Sequence, residues 1–390
     1  MNDVEDYVKQ GSEAVFPRNE IDRRIKGVQK EIAQKEFDVL LLTGPENIFY
    51  LTGQQTPGYY TFQCLVVPVT GEPFLLLRQL ETINARANSY LEDIIAYSDS
   101  DNPGEVLAGL LTERGILDKR IAIDKNSWFL TVNLYDRLTQ GCGELLDGTG
   151  IVELSRRVKS PLELEYLEEA SRINDEGMRS GIEATAAGAT ENDVASAVMG
   201  AAIAAGSEYV GMEPFIVSGP RSGIPHATWR RRKIQDGDSV ILETVGCYNR
   251  YHISLMRTVA IGALPSKALD MYSVCEEALS AGLEQLKPGN TCAHVHEAVQ
   301  PVIDRHNYTD GYRKRSGYSL GISFAPDWGE GNILSLYHGV DVELVPGMVF
   351  HVPITLREYG KWTMAVSESA VITESGNQPL SKIKRGLIQK

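Results

Sequence analysis

The stretch DEGMRSGIEATAAGATENDVASAVM at residues 175–199 returns without a gap as EEALSAGLEQLKPGNTCAHVHEAVQ at residues 276–300, an offset of 101 residues with eight identical positions. Both copies have the pattern of a helix, a glycine turn, a threonine N-cap and a second helix. Strand-like runs follow each copy, at 239–243 and 348–352. A chance match of the residues that begin and end helices is the alternative, but the ungapped length of the match favours a duplicated half-domain. The pattern predicts an α+β domain with a pseudo-two-fold axis and a site where its halves meet.

The segment upstream of this repeat has a different pattern. Short apolar runs bounded by Gly and Pro alternate with helical patterns, which predicts an α/β domain; the runs lie at 38–43, 62–69, 74–77 and 121–124. A capping box at Ser160-Pro161-Leu162-Glu163 then starts a long helix that we expect to end near Ala184. We therefore predict an N-terminal domain at 1–158 and a catalytic domain at 159–390.

Composition excludes several classes of protein. The 390 residues carry 38 Lys and Arg against 52 Asp and Glu, a formal charge of −14, with 43% hydrophobic residues. This is a globular composition, and its negative charge argues against a nucleic-acid or membrane partner. Residues 1–6 are acidic where a signal peptide is basic and then apolar. Five scattered cysteines without a CxxC pair read as reduced thiols, so we expect a cytoplasmic protein.

Four dispersed segments carry a family resemblance. They are Arg157-Val158-Lys159-Ser160-Pro161, Ile224-Pro225-His226, Gly237-Asp238-Ser239-Val240-Ile241-Leu242-Glu243 and Tyr251-His252-Ile253-Ser254-Leu255-Met256-Arg257-Thr258. In this order they resemble motifs of the M24 family, the creatinase and aminopeptidase P group with the pita-bread fold. The resemblance covers essentially the whole chain and implies a creatinase-type N-terminal domain, a pita-bread catalytic domain and a homodimer.

The chain departs from this family at its metal positions. The family's metallopeptidases hold two divalent ions with two aspartates, a histidine and two glutamates, which activate a bridging water. The corresponding residues here are Glu243, Ser254, Tyr318, Pro353 and either Ser367 or Glu368. Serine, proline and tyrosine cannot rebuild a carboxylate cage for two ions. The sequence therefore predicts a site without metal or other cofactor, as in creatinase.

Within the metal-free branch the chain is most similar to the ectoine hydrolase group, which opens a cyclic amidine by adding water. The similarity lies in Arg250-Tyr251-His252, Gly317-Tyr318-Ser319-Leu320-Gly321, Pro326-Asp327-Trp328-Gly329-Glu330 and Phe350-His351. One segment departs from that group, Val352 to Trp362, where an apolar turn with Gly and Trp is expected. The substrate could therefore differ from ectoine itself.

Four residues are predicted to be catalytic. The resemblance and the chemistry of amidine hydrolysis assign Glu243 as the partner of the amidinium or as the nucleophile, and His226 as the proton shuttle. A structural pair of Glu243 with Arg257 is the alternative. His252 is either catalytic or a core histidine, and Tyr318 either orients substrate and donates to the leaving nitrogen or fills the vacated metal space.

Six further residues are predicted to bind substrate. The set comprises His351, Glu368, Trp328, Asp327, Phe62 and Arg257. Trp328 would stack on a flat cationic ring or simply pack, His351 has the same core alternative as His252, and Glu368 could equally form a surface salt bridge. Phe62 would reach across a dimer interface to the partner's site, or anchor its own loop.

The predicted function is metal-independent hydrolysis of a C–N bond in a small cyclic amidine. Ectoine or 5-hydroxyectoine would open to N-acetyl-2,4-diaminobutyrate or its hydroxy analogue. A creatinase-like amidinohydrolase and an Xaa-Pro dipeptidase-like enzyme are the alternatives among enzymes. A pita-bread module that only binds a ligand is the alternative of another class, since loss of metal ligands predicts it equally.

Overall fold

The computed structural model describes residues 8–312 and 314–390, so the acidic segment 1–6 lies outside the described residues. Contacts divide the chain after Arg156 into an N-terminal unit and a C-terminal unit, Arg157–Lys390. No helix in the described ranges is both long and apolar enough to cross a bilayer. All five cysteines are free and buried.

The N-terminal unit is an α/β structure built on one mixed sheet. Its elements are α1 (Arg18–Gln34), β1 (Val39–Leu42), α2 (Pro45–Thr52), β2 (Gln63–Pro68), β3 (Phe74–Arg78), α3 (Thr82–Asn88), β4 (Ile94–Tyr97), α4 (Pro103–Glu113), β5 (Ile121–Ile123), α5 (Val132–Cys142), β6 (Leu146–Asp147) and α6 (Ile151–Arg156). The strand order is β4-β3-β2-β1-β5-β6.

The four apolar runs of the N-terminal sequence are β1, β2, β3 and β5, as predicted. All four residues of β1 are buried, and the strand pairs with β2 on one side and β5 on the other. A central strand whose two faces are both covered has no need of polar alternation, which explains its uninterrupted apolar sequence.

The C-terminal unit contains helices that cover two sheets. Its elements are α7 (Pro161–Ala184), α8 (Glu191–Ala204), β7 (Phe215–Ser218), β8 (Ser239–Tyr248), β9 (Tyr251–Ala260), α9 (Ser266–Gln285), α10 (Cys292–Arg305), β10 (Gly317–Ser319), β11 (Ser335–Leu336), β12 (Val349–Glu358), β13 (Trp362–Thr373), β14 (Gly376–Pro379) and β15 (Ile388–Gln389). One sheet has the order β15-β9-β8-β7, and the other has the order β11-β10-β12-β13-β14.

The internal repeat is confirmed by the helix ends. Helices α7 and α9 end at Ala184 and Gln285, and α8 and α10 begin one residue after Thr190 and Thr291. Both threonines close capping boxes with the third residue of their helices. The predicted capping box at Ser160 is also present, and α7 ends at Ala184 as expected.

Strand alternation decides which side chains face away from the helices. In β8, Val240 and Leu242 join the apolar core beneath α7 and α8, so Glu243 points to the opposite face. In β12, Val352 and Ile354 join the core beneath α9 and α10, which places Pro353 on the opposite face. The two halves thus present their non-core faces to a common region.

Hydrogen bonds connect the two sheets where β9 runs beside β13. The Met256 amide donates to Ser367 Oγ at 2.8 Å, and Ser369 Oγ donates to the Ser254 carbonyl at 2.7 Å. Thr258 Oγ1 bonds the Ala365 carbonyl at 2.8 Å. These bonds bring the face of β8 that bears Glu243 against the face of β12 and β13 that bears Pro353 and Ser367.

Candidate active site

Glu243 is the one residue between Ser239 and Cys247 of strand β8 that is not fully buried. Its cross-strand neighbours are Phe215 on β7 and Met256 on β9. The residue is thus half-buried within an otherwise buried strand.

The Glu243 carboxylate makes no hydrogen bond or ion pair with any described residue, so the alternative of a structural pair with Arg257, which bonds Glu368 instead, does not form. Burial raises the pKa of Glu243 to about 7, while the positive charges of Lys314 and Arg357 oppose the rise. The group therefore changes protonation near neutral pH, the range in which an acid–base or nucleophilic carboxylate is most useful.

The Phe215 ring links His226 to Glu243, because it stacks on the imidazole and belongs to the strand neighbour of Glu243. The His226 and Phe215 rings are stacked with centroids 5.8 Å apart, and Phe215 is the strand partner of Glu243. His226 is exposed and holds its backbone in the left-handed region at φ 56°, which is strained for a residue with a Cβ. Such strain is concentrated at functional sites, and here it accompanies an exposed imidazole that stacks on the strand partner of Glu243.

A chain of hydrogen bonds runs through the second half of the site. Trp328 Nε1 donates to the Tyr318 hydroxyl at 2.9 Å, which in turn lies 2.9 Å from His351 Nδ1. His351 Nε2 lies 2.7 Å from Ser367 Oγ. Three residues that were predicted separately, Trp328, Tyr318 and His351, therefore form one connected network with Ser367.

The direction of this chain follows from Ser367, which is fully buried. Its oxygen accepts from the Met256 amide, so its own proton finds an acceptor only in His351 Nε2. His351 then carries its proton on Nδ1 and donates to the Tyr318 oxygen, as Trp328 does. The Tyr318 proton is used in neither bond, and the residue is half-buried, so its hydroxyl can donate that proton to a ligand beside it.

Both titratable members of the chain are neutral. Burial lowers the pKa of His351 to about 3, and the nearby positive charges of Lys314, Arg257 and Arg315 lower it further. Burial, with the charge of Glu243, raises the pKa of Tyr318 above its usual range. Tyr318 is therefore a hydrogen-bond donor at neutral pH rather than a tyrosinate.

The loop that carries Trp328 is held by buried contacts. Lys159 Nζ lies 2.8 Å from Glu330 Oε2, and both side chains are almost fully buried. Asp327 Oδ1 accepts from the amides of Trp328 and Gly329 at 2.7 and 3.2 Å, so it braces its own loop. Trp328 is 3% exposed and packs 5.2 Å from Phe215, which agrees with the packing alternative more than with a stacking platform.

His252 is placed differently from its predicted catalytic role. It is fully buried, its Nδ1 bonds the Arg250 carbonyl at 2.9 Å, and its Nε2 accepts from the Gly211 amide at 3.0 Å. Burial lowers the pKa of His252 well below its usual value. Because backbone groups occupy both ring nitrogens, the core-histidine alternative describes it better.

Arg257 and Glu368 pair with each other and lie away from the Glu243 face. Arg257 Nη2 lies 3.0 Å from Glu368 Oε1, and the guanidinium also donates to the carbonyls of Ser367, Ile383 and Lys384. Pro353 is opposite Ser367 in the register of β12 and β13, so Ser367 shares the site face and Glu368 points to the other side. The predicted substrate contacts of Arg257 and Glu368 are not supported by this placement.

Phe62 lies in the N-terminal unit, where its ring is 6.4 Å from that of Tyr97 and its carbonyl accepts from the Tyr97 hydroxyl. This contact agrees with the alternative that it anchors its own loop. Its reach into the site of a partner subunit stays a prediction.

Sequence reasoning missed two cations near Glu243. Lys314 Nζ donates to the Pro353 carbonyl at 2.6 Å, and Arg357 Nη1 donates to Thr355 Oγ1 at 3.1 Å. Burial and the charge of Arg357 lower the pKa of Lys314 to about 7, and burial lowers that of Arg357. The period of two along β12 could have placed Arg357 on the face of Pro353. No comparable signal was available for Lys314.

The residues in the five metal positions do not fit two divalent ions. Glu243 is the only carboxylate on this face among them, and the others are Ser254, Tyr318, Pro353 and Ser367. No group of three or more His, Cys, Asp or Glu side chains that could hold an ion occurs among residues 8–312 and 314–390. Hard cations bound by protein need several anionic oxygens, and the nearby Lys314 and Arg357 add positive charge instead.

Two family models and several known proteins are similar to this chain. A model of metallopeptidase family M24 matches residues 165–374, and a model of the creatinase/prolidase N-terminal domain matches residues 24–158. Ectoine hydrolase of Halomonas elongata is 30% identical over 96% of this chain and 98% of that protein. Among solved structures, prolidase from Thermococcus sibiricus superposes with a TM-score of 0.86 at 23% identity, covering 95% of this chain and 99% of that one. Dipeptidase PepE from Mycobacterium ulcerans superposes with a TM-score of 0.83 at 24% identity, covering 96% and 99%.

Proposed function

The chain belongs to the M24 family and carries that family's creatinase-type N-terminal domain, and from this premise we propose that it hydrolyses a C–N bond in a small cyclic amidine without a metal ion. Ectoine and 5-hydroxyectoine are the proposed substrates, opened to N-acetyl-2,4-diaminobutyrate or its hydroxy analogue. The similarity to ectoine hydrolase along nearly the whole chain supports this choice.

The observation that carries the proposal is the Glu243 carboxylate, which belongs to a half-buried residue and has no hydrogen-bond or ion-pair partner among the described residues. A delocalised amidinium is a suitable counter-ion for it, because its planar N–H groups can bond both carboxylate oxygens. Binding of the cation would favour the ionised form of Glu243, whose pKa is raised to about 7 without ligand.

Three side chains have roles in the proposed hydrolysis. Water adds to the amidine carbon and one C–N bond breaks, so the water oxygen becomes the oxygen of the new amide and both water protons end on the released nitrogen. Glu243 either attacks the carbon first or activates the water, and His226 carries the proton. The Tyr318 hydroxyl donates a hydrogen bond to the reacting amidine as charge shifts during addition.

Independence from metal is supported by the donor set rather than by the family. Neutral Tyr318, Pro353 and Ser367 stand where anionic or imidazole ligands are needed, and Ser367 is already committed to the Met256 amide and His351. The family's peptidase reaction depends on those ligands, so an Xaa-Pro dipeptidase is the weaker proposal for this chain.

Product analysis tests the proposal directly. Chelator-washed protein is incubated separately with ectoine, 5-hydroxyectoine, creatine and an Xaa-Pro dipeptide, and products are identified by mass spectrometry. We expect ectoine to gain the mass of one water without added metal. Cleavage of the dipeptide alone, and only after a divalent metal is returned, would overturn the proposal; silence on all four would leave the ligand-binding module as the better description.

We also propose that the enzyme works as a cytoplasmic homodimer in which Phe62 of one copy covers the site of the other. Five free, buried cysteines suit a reducing compartment. Light scattering during size-exclusion chromatography gives the mass in solution, and a mass near that of one chain would contradict the dimer. Phe62→Ala should raise KM if its ring covers bound substrate.

A further inference from the structure

Two cations of the C-terminal unit have no role in the proposed reaction. Lys314 and Arg357 are both only partly buried, and both act electrostatically on Glu243. Their contacts attach them to the same strand, since Lys314 bonds the Pro353 carbonyl and Arg357 bonds the Thr355 hydroxyl. They therefore line the same region of the site as Glu243.

Neither cation has an anionic partner among the described residues. Glu243 is near enough to influence both but forms an ion pair with neither, and the neighbouring Glu358 is paired with Lys267 and Lys361. Arg357 Nε is buried without any hydrogen-bond partner. A buried guanidinium N–H is normally hydrogen-bonded, so this unsatisfied donor, beside a second cation held on the same strand, indicates a place for an anion.

Hydrogen-bond capacity leads to the same conclusion. An ammonium has three donors and a guanidinium has five, and each of these groups uses one in a contact with the protein. Arg315, the third cation nearby, is already bonded to the Gly331 carbonyl and Ser335 Oγ. The free donors are thus concentrated on Lys314 and Arg357.

We propose that Lys314 and Arg357 bind a carboxylate of the substrate, which makes the ligand a zwitterion with its amidinium toward Glu243 and its carboxylate toward this pair. This inference rests on the proposed function and deepens it, because it assigns specificity to two residues outside the motifs. A purely cationic amidine would be repelled by the pair, whereas an amidine with a carboxylate satisfies both ends of the site.

A matched pair of ligands isolates the carboxylate. Ectoine is compared with 2-methyl-1,4,5,6-tetrahydropyrimidine, the same ring without the carboxylate, and acetate and phosphate serve as simple anions. Binding is measured by calorimetry and saturation-transfer NMR in two proteins. One carries Glu243→Gln, a substitution that slows turnover of the ligand, and the other carries no substitution. The carboxylate of ectoine would accept charge-assisted hydrogen bonds from Lys314 and Arg357 that the bare ring cannot form. We therefore expect ectoine to bind about 10- to 100-fold more tightly than the bare ring.

Variants assign that preference to the pair. Lys314→Met and Arg357→Met should each bring the two ring compounds to similar affinity and weaken acetate binding. Lys314→Arg and Arg357→Lys keep the charge and should retain most of the preference, which separates lost charge from misfolding. Lys267→Met removes an exposed lysine that is paired with Glu358 and should leave every affinity unchanged.

The outcomes distinguish this inference from the proposed function. Equal affinity of the unchanged protein for both rings, no binding of any carboxylate, binding of phosphate alone, or a full preference retained in both Met variants would overturn the assignment. Acetate binding that requires Lys314 and Arg357, without ring opening of any amidine, would sustain the anion site and overturn the proposed reaction instead.

Discussion

Strands β8 and β12 occupy equivalent places in the two halves of the C-terminal unit, yet the fifth residue of one is Glu243 and that of the other is Pro353. Each strand has ten residues, lies under a matched helix pair, and continues into an antiparallel partner. The scaffold is therefore kept in both halves while the chemistry is not. A duplicated fold sets where side chains point, and each half then evolves its own side chains at those points.

The difference gives the halves separate tasks. The first half contributes the carboxylate and, through Phe215, the imidazole of His226. The second half contributes the neutral donor Tyr318 and the cations Lys314 and Arg357. A site with a carboxylate from one half and positive charge from the other is suited to a zwitterion rather than to metal ions.

The largest expected effect on turnover comes from removing the carboxylate charge of β8. Glu243→Gln keeps shape but removes the anion and nucleophile, so ectoine turnover should fall about 1,000-fold or more. Pro353→Ala, at the equivalent position of β12, should change turnover far less. Product formation over time is measured by mass spectrometry, with the exposed Glu297→Gln as the control; comparable losses from the two strands would contradict the asymmetry.

Removal of one hydroxyl tests the contribution of the second half. Tyr318→Phe deletes the donor and leaves Trp328 Nε1 and His351 Nδ1 without their shared acceptor. We expect kcat to fall about 100-fold, as for the loss of a transition-state donor, and the free energy of unfolding to fall by about 1 kcal/mol. Steady-state kinetics and thermal unfolding measure the two effects, and an unchanged kcat would make Tyr318 a space-filling residue.

The pH dependence of the free energy of unfolding tests the Glu243 carboxylate of β8. Because the folded-state pKa of Glu243 is raised to about 7 from 4.5, its stabilising contribution is complete below pH 4.5 and is lost as pH rises through 7. Glu243→Gln should therefore gain stability relative to the unchanged protein between pH 5 and pH 8, by on the order of 2 kcal/mol. Chemical unfolding at both pH values checks this, with Glu297→Gln expected to show no such change; a gain that shrinks toward pH 8 would be the wrong sign.

The smallest effect concerns one proton in the second half. With Ser367 donating to Nε2, His351 should carry its proton on Nδ1, and Ser367→Ala should release that constraint and shift the ring toward the Nε2 tautomer. Nitrogen-15 correlation spectra of the imidazole report the tautomer directly. His252, held by backbone groups on both nitrogens, serves as the internal control; an Nε2–H tautomer of His351 in the unchanged protein would contradict the direction of the hydrogen-bond chain.

Much of the candidate site could be predicted from motifs, but not how its residues are used. His226, Glu243, Tyr318 and Trp328 come together as expected. His252 belonged to the same set of motifs, yet the Gly211 amide and Arg250 carbonyl occupy its nitrogens. Hydrogen-bond partners that are distant in sequence leave no local pattern, so a motif cannot tell a free imidazole from a bonded one.

The sequence by itself determined the helix ends, the 101-residue repeat and the absence of most metal ligands, because capping, periodicity and residue chemistry are local properties. Only the tertiary structure decided between Ser367 and Glu368, since a shift of one residue in strand register turns every side chain to the opposite face. It also brought Lys314 and Arg357 to Glu243 from two segments without a shared pattern. Electrostatic interaction depends on distance in space, which a linear sequence does not record.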